Sequence, residues 1–114
     1  MFVKSITFFN RSAENPIPAD GGNISPELTN ANNGVGLQIQ VDGSDVNIAI
    51  QCRLQNNPDQ EWHQVGAIAL RDYTVHETID VKGEYQISMD GIEYCRIVDL
   101  GSGSDLAVYG NLIA

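Results

Sequence analysis

From residue 35 the pattern of apolar and polar positions sharpens: Leu37, Ile39 and Val41 fall on one side, Gln38, Gln40 and Asp42 on the other. A period of two marks a β-strand with one face buried. After the turn chemistry of Asp42-Gly43-Ser44-Asp45 the rhythm resumes. Val46, Ile48, Ile50, Cys52 and Leu54 then point inward, against Asn47, Gln51 and Arg53. Even spacing recurs at Trp62, Ile68 and Leu70, at Tyr73, Val75, Ile79 and Val81, and at Tyr85, Ile87 and Met89. It continues at Cys95 and Ile97, and at Leu106, Val108 and Leu112. Asn56-Asn57-Pro58-Asp59, Lys82-Gly83 and Asp90-Gly91 cut the runs with turn residues. Gly66, inside a run, predicts a bulge or a close backbone approach.

The amino-terminal third is less regular. In residues 3–9, Val3, Ser5, Thr7 and Phe9 alternate with Lys4, Ile6 and Phe8. Apolar groups on both faces predict a strand covered on both sides. Residues 10–23 gather Pro16, Pro18, Gly21 and Gly22 with polar groups and read as a long irregular loop, with Ile17 as a single anchor. Residues 24–28 suit only an edge strand, since Pro26 lacks a ladder donor. Asn30, Asn32, Asn33 and Gly34 mark a turn. No stretch pairs helical spacing with a capping signal. The expectation is one all-β domain over residues 1–114, an antiparallel, jelly-roll-like β-sandwich of about eight strands with little helix. Its core should contain Leu37, Ile39, Val41, Ile48, Ile50, Leu54, Trp62, Ile68, Tyr85, Ile87, Ile97 and Val108.

Composition narrows the function. With 114 residues the chain forms one core, and its formal charge of −9 with only six scattered Lys and Arg opposes nucleic-acid binding. No apolar run approaches the ~20 residues of a membrane span, and the start lacks a signal-peptide pattern, so no membrane association and assembly in a cytoplasm are expected. Cys52 and Cys95 are too few for a disulfide framework or a paired-dyad zinc site. Both are expected as buried free thiols, a bond remaining possible if their strands face each other.

Candidate chemistry is sparse. Alternation puts Trp62 inward and His63 outward, and spacing assigns His76 no acid–base partner, so no catalytic residue is expected. Asp42, Asp45, Asp90 and Asp105 sit in turns without calcium-loop spacing and read as turn formers; no metal or cofactor is expected. Asn10 and Asn23 begin glycosylation sequons that mean little without a secretion signal. Arg96 should pair with an acid on a neighbouring strand or reach a partner. Tyr73, Tyr94 and Tyr109 offer an aromatic platform for a carbohydrate-binding module, the alternative function.

The order of motifs carries a resemblance. Leu37-Gln38-Ile39-Gln40-Val41 ends in Asp42-Gly43-Ser44, and a long strand and a polar turn lead to Glu61-Trp62-His63. Then come Gly83-Glu84-Tyr85-Gln86-Ile87, Gly91-Ile92, Arg96-Ile97, a Gly/Ser turn at residues 101–104, and Val108-Tyr109-Gly110. Over residues 35–112 this resembles a small β-sandwich module of accessory structural proteins in tailed-phage virions. The resemblance implies a non-enzymatic virion protein, either a capsid decoration (cement) protein or a head-fibre or tail accessory protein. Its partner would be a phage capsid or tail protein, with the chain itself a homo-oligomer, a trimer in the simplest case. The expected contact segment is the irregular loop, with Pro16, Ile17, Pro18, Asp20 and Asn23 as candidate partner-binding residues.

Overall fold

A computed structural model describes residues 2–11, 22–30, 34–55, 61–103 and 105–114, the first two of them through their backbone alone. None of these is helical. Ten strands follow in chain order: β1 (Phe2–Asn10), β2 (Leu28–Thr29), β3 (Gly36–Asp42), β4 (Ile48–Leu54), β5 (His63–Val65), β6 (Ala67–Ala69), β7 (Val75–His76), β8 (Gly83–Ser88), β9 (Ile92–Asp99) and β10 (Ala107–Ile113). They build two antiparallel sheets, one ordered β1-β10-β3-β8-β6-β7, the other β2-β9-β4-β5. The fold is the expected all-β sandwich, its extra strands being pieces of two or three residues.

The inward residues of both sheets form one core, with Leu37, Ile39, Val41, Ile48, Ile50, Tyr85, Ile87, Ile97 and Val108 all buried as the alternation requires. Three expected core residues are not. Leu54 is exposed because an irregularity between Arg53 and Leu54 rotates the end of β4 outward. Ile68 is exposed because the chain changes sheets at Gly66, between β5 and β6. The inward phase shifts by one there, and Ala67 and Ala69 take the buried side. Trp62 is half-buried, outside the core altogether. From the next run only Ile79 is buried; Tyr73, Val75 and Val81 face solvent around the two-residue edge strand β7.

Strand β1 is covered on one side only, since Ser5 and Thr7 are exposed. Phe8 and Phe9 are nonetheless both buried, because a register shift between Thr7 and Phe9 turns consecutive side chains inward. The edge segment around Pro26 contributes an isolated bridge from Ile24 to Val98 before β2 begins. Two glycines mark close approaches. A Cβ on Gly66 would lie 3.0 Å from Val75 Cγ1, and one on Gly110 would lie 2.7 Å from the Phe8 ring. Buried Asn30 ties neighbouring segments together: its amide nitrogen donates to the carbonyls of Gly34, Met89 and Ile92, and its oxygen accepts from the Gly34 amide.

Candidate functional site

The surface feature with the most internal order is the β6–β7 hairpin at the edge of the six-stranded sheet. Ala69 donates to the Thr74 carbonyl at 2.8 Å, and Tyr73 donates to the Ala69 carbonyl at 2.7 Å. This closure places Tyr73 at φ 59°, a left-handed conformation that glycine or asparagine occupies more readily. Asp72 then accepts from both the amide and the hydroxyl of Thr74, at 3.1 and 2.7 Å. The hydroxyl and the amide together hold the Asp72 carboxyl below its ordinary range. His76 Nε2 lies 2.8 Å from the Thr74 hydroxyl, and the imidazole meets the Tyr85 ring edge-on with centroids 6.0 Å apart. Nε2 thus lies between the Thr74 hydroxyl, whose hydrogen goes to Asp72, and Arg71 NH2 at 3.5 Å. Arg71 reaches the Tyr85 hydroxyl at 3.1 Å.

The consequence is a braced tip that presents apolar groups. Tyr73 is 79% exposed and Val75 70%, with exposed Ile68 opposite Val75 in the register. Aromatic and aliphatic side chains displayed from a hydrogen-bonded turn are suited to bind, because little backbone freedom remains to be lost. The network also gives His76 a hydroxyl to bond with, where spacing had assigned it no acid–base partner. The residues Asp72, Thr74 and His76 stand two apart, on one side of the turn strand, and that repeat is the signal in the sequence.

A second arrangement covers the outer face of the four-stranded sheet. The Arg96 guanidinium lies 4.1 Å from the centre of the Trp62 ring, and Arg53 sits 5.4 Å from Trp62 and 4.9 Å from Tyr94. Cations and aromatic faces thus alternate along Tyr94, Arg53, Trp62 and Arg96, each pair attracted by the ring quadrupole. Arg96 Nε also donates to Gln51 at 2.9 Å. Among the described residues its intramolecular partners are therefore an aromatic ring and an amide, where an acid was expected.

Of the candidate contact residues, Pro16, Ile17, Pro18 and Asp20 lie outside the described residues. Asn23 is described: it is exposed, and its carbonyl accepts from the Asp99 amide at 2.7 Å. Both flanks of the intervening segment are pinned. Arg11 donates to the Leu106 carbonyl through its amide and to the Gly22 carbonyl through its guanidinium at 2.9 Å, while NH1 meets Asp99 at 2.6 Å.

The turn aspartates do what turn aspartates do. Asp105 accepts from the Ser44 amide and hydroxyl, and these two donors lower its carboxyl below the usual value. Asp42 accepts from the Gly43 amide at 3.0 Å. Asp90 lies at the other end of the sandwich, beyond Ser88, which pairs with Gly36 while Asp42 closes the far end of β3. Among the described residues no group of three or more His, Cys, Asp or Glu is gathered as metal ligands. The three tyrosines are also dispersed: Tyr109 is on the outer face of the six-stranded sheet, Tyr94 on that of the other, and Tyr73 at the hairpin tip. They share no platform.

No protein-family model matches the chain, and no curated protein does. Among solved structures, the crystal structure of the SPBc2 prophage-derived protein YomS is similar, with a TM-score of 0.76 at 14% identity. The match covers 97% of this chain and 92% of that one. The chain therefore has the fold of the prophage-derived protein over essentially its whole length.

Proposed function

We propose that the protein is a non-enzymatic structural component of a phage particle, acting by binding a capsid or tail protein. Within that class its role is capsid decoration, or an accessory position on a head fibre or tail. The whole-length fold match to a prophage-derived protein is the observation that carries this reading, since it spans both sheets. The motif order over residues 35–112 supports it independently. Self-association, as a trimer or another small ring, would let several weak contacts act together on a repeating lattice.

The hairpin tip is the described surface best suited to that contact, with Tyr73 as the anchor. Tyrosine is among the residue types enriched where binding energy concentrates. Co-sedimentation with purified capsids and with purified tails tests the reading. Binding to either supports it, and the particle bound separates decoration from a tail position. Tyr73→Asn should weaken binding at least tenfold while leaving the thermal midpoint unchanged or slightly raised, because asparagine tolerates the left-handed backbone. Wild-type protein that sediments with neither particle would refute the function. Wild-type binding that Tyr73→Asn leaves intact would refute the hairpin assignment alone.

A further inference from the structure

The two cysteines stand directly opposite one another, Cys52 on β4 and Cys95 on β9. Both thiols are free and almost wholly buried. The hydrogen-bond pattern fixes which kind of pair they are. On β9 the odd-numbered residues turn their backbone groups away from β4: Ile97 accepts from the Ser25 amide at 2.9 Å, and Asp99 donates to Asn23 at 2.7 Å. On β4 the even-numbered residues turn away from β9, as Ile48 shows by exchanging bonds of 2.9 and 2.8 Å with Ile79. No register shift falls between these residues and the cysteines. Cys52 and Cys95 are thus a non-hydrogen-bonded pair, the closer of the two antiparallel alternatives, with Cα atoms about 4.5 Å apart and side chains on the same face. Disulfides accept Cα separations from about 4.4 Å upward.

We infer that Cys52 and Cys95 form a disulfide-closing site, a cross-strand dithiol that oxidation converts to a bond between β4 and β9 without rearranging the sandwich. The thiols are already in contact. That contact draws Cys52 below the ordinary thiol range against the opposing effect of burial, and together with burial it pushes Cys95 up. With a peroxide as oxidant, one thiol of the pair gives up its proton and its thiolate attacks one oxygen, breaking the O–O bond; the other oxygen leaves as hydroxide and takes that proton, and the attacking sulfur becomes a sulfenic acid. The second sulfur then attacks the first and displaces hydroxide, which takes the second thiol's proton. Two thiols and one hydrogen peroxide give one disulfide and two waters. Oxidised glutathione achieves the same oxidation by exchange, leaving two molecules of the reduced form.

The bond and the fold should reinforce one another, because whatever the disulfide adds to the folded state the folded state adds to the disulfide. The test is a redox titration of the full chain in glutathione buffers, approached from both the reduced and the oxidised side. Intramolecular disulfide is read by the mass of alkylated protein, once in native buffer and once in guanidinium. The native protein should favour the disulfide at least tenfold over the denatured chain, in monomer form. The oxidised protein should melt roughly 5 to 15 °C higher than the reduced one. A native preference below tenfold, or oxidation only to bonds between chains, would overturn the inference.

Discussion

Arg11 and Asp99 form an ion pair sealed inside the protein: NH1 lies 2.6 Å from Oδ2, and the two side chains are 2% and 5% exposed. The pair ties the end of β1 to the end of β9. Asp99 also accepts from the amides of Gly101 and Ser102, at 3.0 and 2.7 Å, and the Arg11 guanidinium stacks over Phe9 at 4.8 Å. Burial alone would raise the Asp99 carboxyl, but the Ser102 and Gly101 amides and Arg11 together bring it below its usual value.

Removing one partner should therefore cost more than removing both. Arg11→Met alone leaves a buried carboxylate and should destabilise the fold by about 3 to 5 kcal/mol, whereas Arg11→Met with Asp99→Leu should recover much of that loss. Denaturant unfolding of the three proteins measures the difference. A lowered carboxyl contributes stability that is present above its unfolded pKa of about 3.9 and is lost as pH falls through the folded value. Between pH 5 and 2 the wild type should accordingly lose more stability than Asp99→Asn.

Two isoleucines that alternation treats alike should behave differently. Ile50 is 1% exposed and Ile68 43%. Ile50→Ala should cost about 2 to 5 kcal/mol by opening a cavity, and Ile68→Ala should stay within about 0.5 kcal/mol of wild type. Urea melts of both variants are sufficient.

Gly110→Ala should destabilise the protein by about 1 to 3 kcal/mol through overpacking. The added methyl would meet the Phe8 ring at 2.7 Å and Ile6 and Leu37 at 3.2 Å, and Phe8 is buried. A compensating Phe8→Leu should recover part of the loss, which a double-mutant cycle would measure.

On the outer face of the four-stranded sheet, Trp62 and Arg96 should couple by about 0.5 to 2 kcal/mol in such a cycle. Trp62 is the single tryptophan of the chain, so its fluorescence reports the stack directly. Arg96→Lys should shift the emission as Arg96→Ala does, because an ammonium cannot lie flat on the indole.

The uninterrupted strands were legible in the sequence, and the places where the chain changes course were not. Leu37, Ile39 and Val41 keep their phase through β3 because their neighbours on both sides belong to the same sheet. Ile68 loses its phase because Gly66 passes the chain between sheets, and alternation carries no sheet label. Leu54 fails for a related reason, a one-residue irregularity that spacing cannot reveal. The hairpin network was missed because Asp72, Thr74 and His76 act across a turn, where each residue taken singly looks like ordinary surface. In contrast, the Val108-Tyr109-Gly110 motif was visible as a pattern before its cause was: Gly110 is the slot for Phe8.

Strand β10 lies between β1 and β3, with Thr7 and Gln40 flanking Tyr109 on either side. In kinetic terms β1 cannot join its sheet when it is made, since its strand partner among the described residues comes from the far end of the sequence. It must wait unpaired, an apolar segment carrying Phe8 and Phe9, until residues 107–113 dock on β3 and give it an edge. Closing so long a loop before any reward places the β1–β10 pairing late in folding and makes the approach slow, as non-local pairings are. Until that closure the half-built sheet offers an open edge at which a β1 strand from another copy could pair in place of its own.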